Sequence, residues 1–181
     1  MHSCPDYEAY CRGDDEGLAR IIRDHSDGLI LFLRTFCNDI HDAENLAEDV
    51  FVKIAVKKPH YNGKASFKTW LYTIGRNMAI DKLRKKNAEW VPLDACVQLS
   101  ADERSLEEEF IRQEEKIAVH RAMQALPPDY QQILWLVYFE GYQVKEAAQI
   151  MGKSTHAAEA LISRARQKMK EILGDQRIEK L

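Results

Sequence analysis

Ala65-Ser66-Phe67-Lys68-Thr69-Trp70-Leu71-Tyr72-Thr73-Ile74-Gly75-Arg76-Asn77-Met78-Ala79-Ile80-Asp81-Lys82-Leu83-Arg84-Lys85-Lys86 reads as one amphipathic helix. Phe67, Leu71, Ile74 and Met78 stand at i, i+4, i+7 and i+11, the spacing of a single apolar stripe. At about 100° per residue the far side carries Thr69, Thr73, Arg76, Asn77, Ile80 and Arg84, with Trp70 on the shoulder. A solvated helix ordinarily mixes Glu with Lys so that i,i+4 pairs support it. From Lys64 to Lys86 there are instead seven basic residues and one acidic residue. Such an excess on a short-chained, partly aromatic face points to phosphate.

Working outward, Trp70-Leu71-Tyr72-x-Ile74-x-Arg76-Asn77-x-Ala79-x-Asp81-x-Leu83-Arg84, preceded by Tyr61-Asn62-Gly63-Lys64-Ala65-Ser66-Phe67, resembles the promoter-melting segment of extracytoplasmic-function (group four) sigma factors of bacterial RNA polymerase. In that family the loop and the start of the helix form a pocket for one flipped base of the minus-ten element. The resemblance places an Asn, here Asn77, on that base, and makes Tyr61, Trp70, Thr73, Arg76 and Arg84 the accompanying minus-ten contacts. The chemistry suits the role: an amide offers donor and acceptor to a base edge, and aromatic rings stack on its face.

Upstream, Leu46, Val50 and Ile54 are spaced by four in Asp42 to Ile54, and the acid-rich first turn suits a helix N-terminus. The resemblance implies that this helix docks on the clamp helices of the polymerase's largest subunit through Glu48, Asp49 and Phe51. Lys57-Lys58-Pro59 ends it, because Pro lacks the amide donor and restricts the residue before it. Further upstream, Leu18, Ile21, Ile22, Leu29, Ile30, Phe32, Leu33 and Phe36 predict two short helices broken near Asp24 to Gly28.

Downstream, residues 89 to 115 carry a charge of −7, contain Pro92 and lose periodicity up to Leu106, where the next helix begins. The acid excess of this linker reads either as a solvated, disordered segment or, as the resemblance implies, as a nucleic-acid-like strand lying in the polymerase's RNA channel. Leu126-Pro127-Pro128-Asp129 then stops one helix and starts another. From Tyr142 to Arg166 small Ala148, Gly152 in the turn and Ser154 as a cap give a helix-turn-helix. Its second helix buries Ala158, Leu161, Ile162, Ala165, Met169 and Ile172. Outward lie His156, Glu159, Ala160, Ser163, Gln167 and Lys170, flanked by Arg164 and Arg166. Ser154, Thr155, His156, Glu159, Ser163, Arg164 and Arg166 are the candidate minus-thirty-five contacts, since this part resembles the minus-thirty-five-binding domain of the same family. Arg suits phosphate or guanine, and Glu159 accepts from a cytosine amino group or pairs locally. Many members carry a basic residue and an Arg where Glu159 and Leu161 stand, which bears on the sequence read.

The expected fold is all-α, two small helical domains joined by the acidic linker, the C-terminal one a four-helix unit: residues 1–88, 89–106 and 107–181. A chain of 181 residues, 45% hydrophobic and 30% charged, supports cores of that size, and with eight Gly and no Asn-Gly or Asp-Gly it lacks hairpin signals. The net charge of −3 conceals its distribution: residues 1–51 carry −8, 64–88 carry +6 and 153–170 carry +4. Two basic segments set apart by an acidic one fit two DNA contacts, because affinity follows local phosphate neutralisation.

No apolar run reaches the roughly 20 residues of a membrane span and the N-terminus lacks a signal-peptide pattern, so a cytosolic protein is expected. Cys4, Cys11, Cys37 and Cys96 form no C-x-x-C pair, and no cofactor or metal site is expected. Cys37 reads as a small hydrophobe in an apolar helix. A DNA-modifying enzyme would need a carboxylate cluster, metal constellation or activated nucleophile, and none is visible. A dimeric helix-turn-helix regulator would leave the Trp70 to Lys86 helix without a task. The partners implied by the resemblance are core RNA polymerase, promoter DNA and an anti-sigma factor. Opening about ten base-pair steps costs on the order of 14 kcal/mol at roughly 1.4 per step. Capturing a base by stacking returns only about 1–3. A large partner must therefore supply the force.

Overall fold

Short polar side chains start the helices that build the first unit. Asp14 accepts from the Glu16 amide at the head of one, and Asp39 from the His41 amide at the head of another. The computed structural model describes residues 2–37, 39–88, 119 and 121–174. Helix α1 spans Pro5–Cys11, α2 Asp15–Leu33, α3 Ile40–Lys57 and α4 Phe67–Ala88. After a helical stretch at 121–124 come α5 (Pro128–Leu134), a wide π turn (Trp135–Phe139), α6 (Val144–Ile150) and α7 (Thr155–Leu173). The described residues contain helices and no strand.

Helices α2, α3 and α4 pack on one another around Leu29, Phe32, Leu33, Leu46, Val50, Ile54, Leu71 and Tyr72. Two expectations change here. Residues 15 to 33 form one continuous helix, not two short ones: Gly28 marks no break but lies in the helix interior, where Tyr72 and Glu140 leave no room for a side chain. Cys37 is half-buried but follows a 3₁₀ turn at Arg34–Phe36 in extended backbone, outside any helix. Helix α3 ends at Lys57, with Lys58 left-handed at φ 40°. The Lys58 ammonium stabilises that turn by donating to the Tyr10 carbonyl (3.3 Å) while sitting 4.4 Å from the Tyr10 ring centre.

The second unit packs α5, α6 and α7 around Ile133, Leu136, Ile150, Ala158, Leu161 and Ala165. Ser154 caps α7 by accepting the Ala157 amide at 3.2 Å. Gly152 takes φ 62° in the turn, a conformation open to glycine at little cost. Gln143 and Glu146 form a capping box at the head of α6. The units touch: α6 lies against α4, and α5 approaches the turn at Arg34–Phe36. The linker expected at residues 89 to 106 lies outside the described residues.

Candidate nucleic-acid interface

Helix α4 begins where Ser66 receives the Thr69 amide at 3.2 Å, with the two hydroxyls 2.8 Å apart. The loop before it turns at Gly63 and is tied by the Tyr61 hydroxyl donating to the Ala65 carbonyl at 2.6 Å. Phe67 and Leu71 are buried, and Ile74 and Met78 pack beside them. The expected apolar stripe is therefore present, but it is not the whole buried surface, since Thr69, Tyr72 and Ala79 are buried too. A helix packed from more than one direction buries a wider arc than a single stripe.

The candidate minus-ten residues divide accordingly. Asn77 and Arg84 are exposed, while Thr73 and Arg76 are half-buried. Thr73 donates its hydroxyl to the Thr69 carbonyl at 2.7 Å. Burial holds the Arg76 guanidinium below its ordinary pKa, with Asp129 of the second unit pulling the other way. Tyr61 and Trp70 do not stand apart as open stacking platforms. Their ring centres are 5.4 Å apart, Trp70 lies 5.4 Å from Tyr7, and Phe67 is within 5.6 Å of all three. Tyr61 and Trp70 each keep part of their surface exposed, while Tyr7 and Phe67 are buried. Tyr7 was not singled out from the sequence; its spacing from Trp70 lies beyond any local periodicity.

On α3, Glu48 and Asp49 are exposed and Phe51 is buried, 7% exposed. The outward placement expected for Phe51 is corrected: α3 packs against both α2 and α4, so its buried arc takes in Ala43, Ala47 and Phe51 beside Leu46, Val50 and Ile54.

On α7 the expected inner stripe is buried from Ala158 to Met169, whereas Ile172 near the helix end is exposed. Ser154, Thr155, His156, Glu159, Ser163, Arg164 and Arg166 all lie on the exposed face. Glu159 sits 4.0 Å from His156 rather than on Lys153, which pairs with Asp129 at 3.0 Å. Arg166 lies 5.2 Å above the Tyr138 ring. The described residues hold no cluster of three or more His, Cys, Asp or Glu at metal spacing.

Fold and faces together define an all-helical protein in which two helices carry exposed, Arg-bearing polar faces, one of them the second helix of a helix-turn-helix. Comparison with known proteins sharpens this. Residues 21–89 match the family described as Sigma-70 region 2, and residues 116–169 match Sigma-70, region 4. The chain is 32% identical over 137 residues to the RNA polymerase sigma factor SigZ of Bacillus subtilis, covering 75% of each chain. It is 25% identical over 174 residues to the ECF RNA polymerase sigma factor SigW of the same organism, covering 91% of this chain and 92% of SigW. The sigma factor RpoE of Bartonella quintana, solved with the anti-sigma factor NepR, shares the fold at a TM-score of 0.69 and 22% identity, over 88% of this chain and 98% of that one. The chain belongs to the sigma-70 family of RNA polymerase sigma factors, in its extracytoplasmic-function group.

Proposed function

We propose that this sigma factor reads a promoter at two points while core RNA polymerase holds the duplex. Residues 1–88 act as the region-2-like unit, 89–106 as linker and 107–181 as the region-4-like unit. In the first, α4 and the loop before it receive a flipped minus-ten base: Asn77 hydrogen-bonds its edge, Tyr61 and Trp70 stack, and Thr73, Arg76 and Arg84 hold the strand. In the second, α7 enters the major groove at the minus-thirty-five element through the face from Ser154 to Arg166. Glu48 and Asp49 dock α3 on the polymerase, and strand opening draws on that complex. The protein acts with polymerase in the cytoplasm, and an anti-sigma partner, of the class solved in complex with RpoE, would compete for these surfaces. As an initiation factor it performs no catalysis.

The observation that carries this reading is the order of the two family matches, each containing a helix with an exposed polar face that bears Arg: Asn77 and Arg84 on α4, Arg164 and Arg166 on α7. The test separates docking from opening. Asn77→Ala should impair open-complex formation, read by permanganate reactivity of unpaired thymines, and leave polymerase affinity unchanged. Asp49→Lys should weaken polymerase binding. Unchanged opening by Asn77→Ala rejects the base pocket; unchanged affinity of Asp49→Lys removes that residue from the dock.

A further inference from the structure

Residues 58–66, the loop before α4, turn through left-handed backbone at Lys58 and again at Gly63. The N-terminal segment holds them from outside. The Tyr7 hydroxyl donates to the Pro59 carbonyl at 2.6 Å, and the His2 amide donates to the Gly63 carbonyl at 2.9 Å. At the foot of the loop the Tyr10 hydroxyl donates to the Ala55 carbonyl at 2.9 Å, while the Tyr10 carbonyl accepts from the Lys58 ammonium at 3.3 Å. The Tyr7 ring also backs Phe67 and Trp70, its centre 5.4 Å from each. The stretch from His2 to Tyr10 therefore grips the loop at its entry and at its turn, and supports the rings beyond its exit.

Helix α1 is itself fixed to the body of the unit. Gly17 of α2 is buried beneath it, where a Cβ would collide with the Asp6 carbonyl oxygen and lie 3.0 Å from the Tyr10 amide nitrogen. Arg20 of α2 reaches Asp6 at 2.6 Å and Asp14 at 3.5 Å. Tyr7 is 4% and Tyr10 8% exposed, so neither offers a face to nucleic acid. What they hold does, since Tyr61 and Trp70 keep part of their surface open. Helix α1 also precedes the stretch matched to Sigma-70 region 2, which begins at residue 21.

We propose that α1 is a strap that positions the base-capturing loop, with Tyr7 as its positioning residue and the Gly17 contact as its anchor. Fixing a loop costs backbone entropy at every residue. A loop tied in place beforehand has met that cost before a base arrives, so more of the contact energy appears as discrimination between bases. Contacts of Arg and Lys with phosphate do not pass through the loop and are indifferent to the strap. The proposal rests on the reading that this loop and α4 capture a minus-ten base.

Two full-length variants loosen the strap by different means. Tyr7→Phe keeps the ring and removes the bond to Pro59, and Gly17→Ala pushes α1 from α2 without touching the loop. Each is combined with core RNA polymerase and offered a pool of promoter fragments whose minus-ten element is randomised and left unpaired. Sequencing of bound and free fragments gives the base preference at each position. The wild-type complex should prefer one base strongly at the captured position. Both variants should weaken that preference, Tyr7→Phe by about fivefold, the worth of one hydrogen bond. Affinity for core polymerase and the salt slope of binding to the pool should stay unchanged, because no cation is lost. Retention of the wild-type preference within twofold by either variant overturns the strap and leaves the base pocket standing. Equal weakening at every position of the element marks general damage and overturns it as well. A wild-type complex with no base preference in the element overturns the pocket itself, and the strap with it.

Discussion

Tyr7 links parts of the first unit that lie far apart in sequence. Its hydroxyl donates to the Pro59 carbonyl at 2.6 Å and its ring stands against Trp70 and Phe67. Tyr7→Phe keeps the packing and removes the bond, so urea unfolding should show stability lower by about 1 kcal/mol. Faster amide exchange in residues 59–66 should accompany it. His25 makes a second residue-scale prediction. Burial, with Lys68 adding to it, holds its pKa below the ordinary value of about 6.5, against the pull of Asp24 and Glu140. Below that value the unfolded chain takes up a proton that the folded chain resists, so stability is full above about pH 6.5 and falls as the pH drops through it. Denaturation midpoints at pH 7.5 and 5.5 should differ more for the wild type than for His25→Asn. At this scale the sequence was least legible. Phe51 and Trp70 sit at positions whose surroundings are decided by a second and third helix, and helical spacing within one segment carries no information about those.

Among the elements, the helix-turn-helix was the most readable. Ala148, Gly152 and Ser154 each impose a local constraint, and each is met: a buried small side chain, a left-handed turn and a capped amide. Removing the cap with Ser154→Ala should cost about 1 kcal/mol and lower the thermal midpoint of the second unit. Helix α3 was legible for the same reason, since Leu46, Val50 and Ile54 repeat at helical spacing on its inner face. The continuity of α2 through Gly28 was not, because the glycine makes room for Tyr72 and Glu140, both distant in sequence, rather than for a break. Nor was the π turn at Trp135–Phe139 legible. Widening a helix by one residue leaves no compositional mark, and here the stacked Trp135 and Phe139 rings, 4.5 Å apart, hold it.

Charge distribution organises the whole molecule. Residues 64–88, which contain α4, carry +6 and residues 153–170, which contain most of α7, carry +4, while the acid lies in the first 51 residues and between residues 89 and 115. A protein reading DNA through α7 in this way should bind an upstream promoter duplex more weakly when Arg164 or Arg166 becomes Ala. The slope of log affinity against log salt should become shallower by about one for each phosphate no longer neutralised. The same arithmetic sets the limit of what the chain does unaided. About 14 kcal/mol of duplex opening is not supplied by one or two stacked bases at roughly 1–3 each. On the proposed reading, sequence choice belongs to these two helices and force to the polymerase. Transcription in vitro from a promoter library, using purified core polymerase with and without the protein, puts that division of labour to its sharpest test. Transcripts are expected from a subset of promoters sharing paired upstream and downstream elements, only when both components are present. Tight, sequence-selective binding of duplex DNA by the protein alone, with no promoter-specific transcript on adding core polymerase, would contradict it.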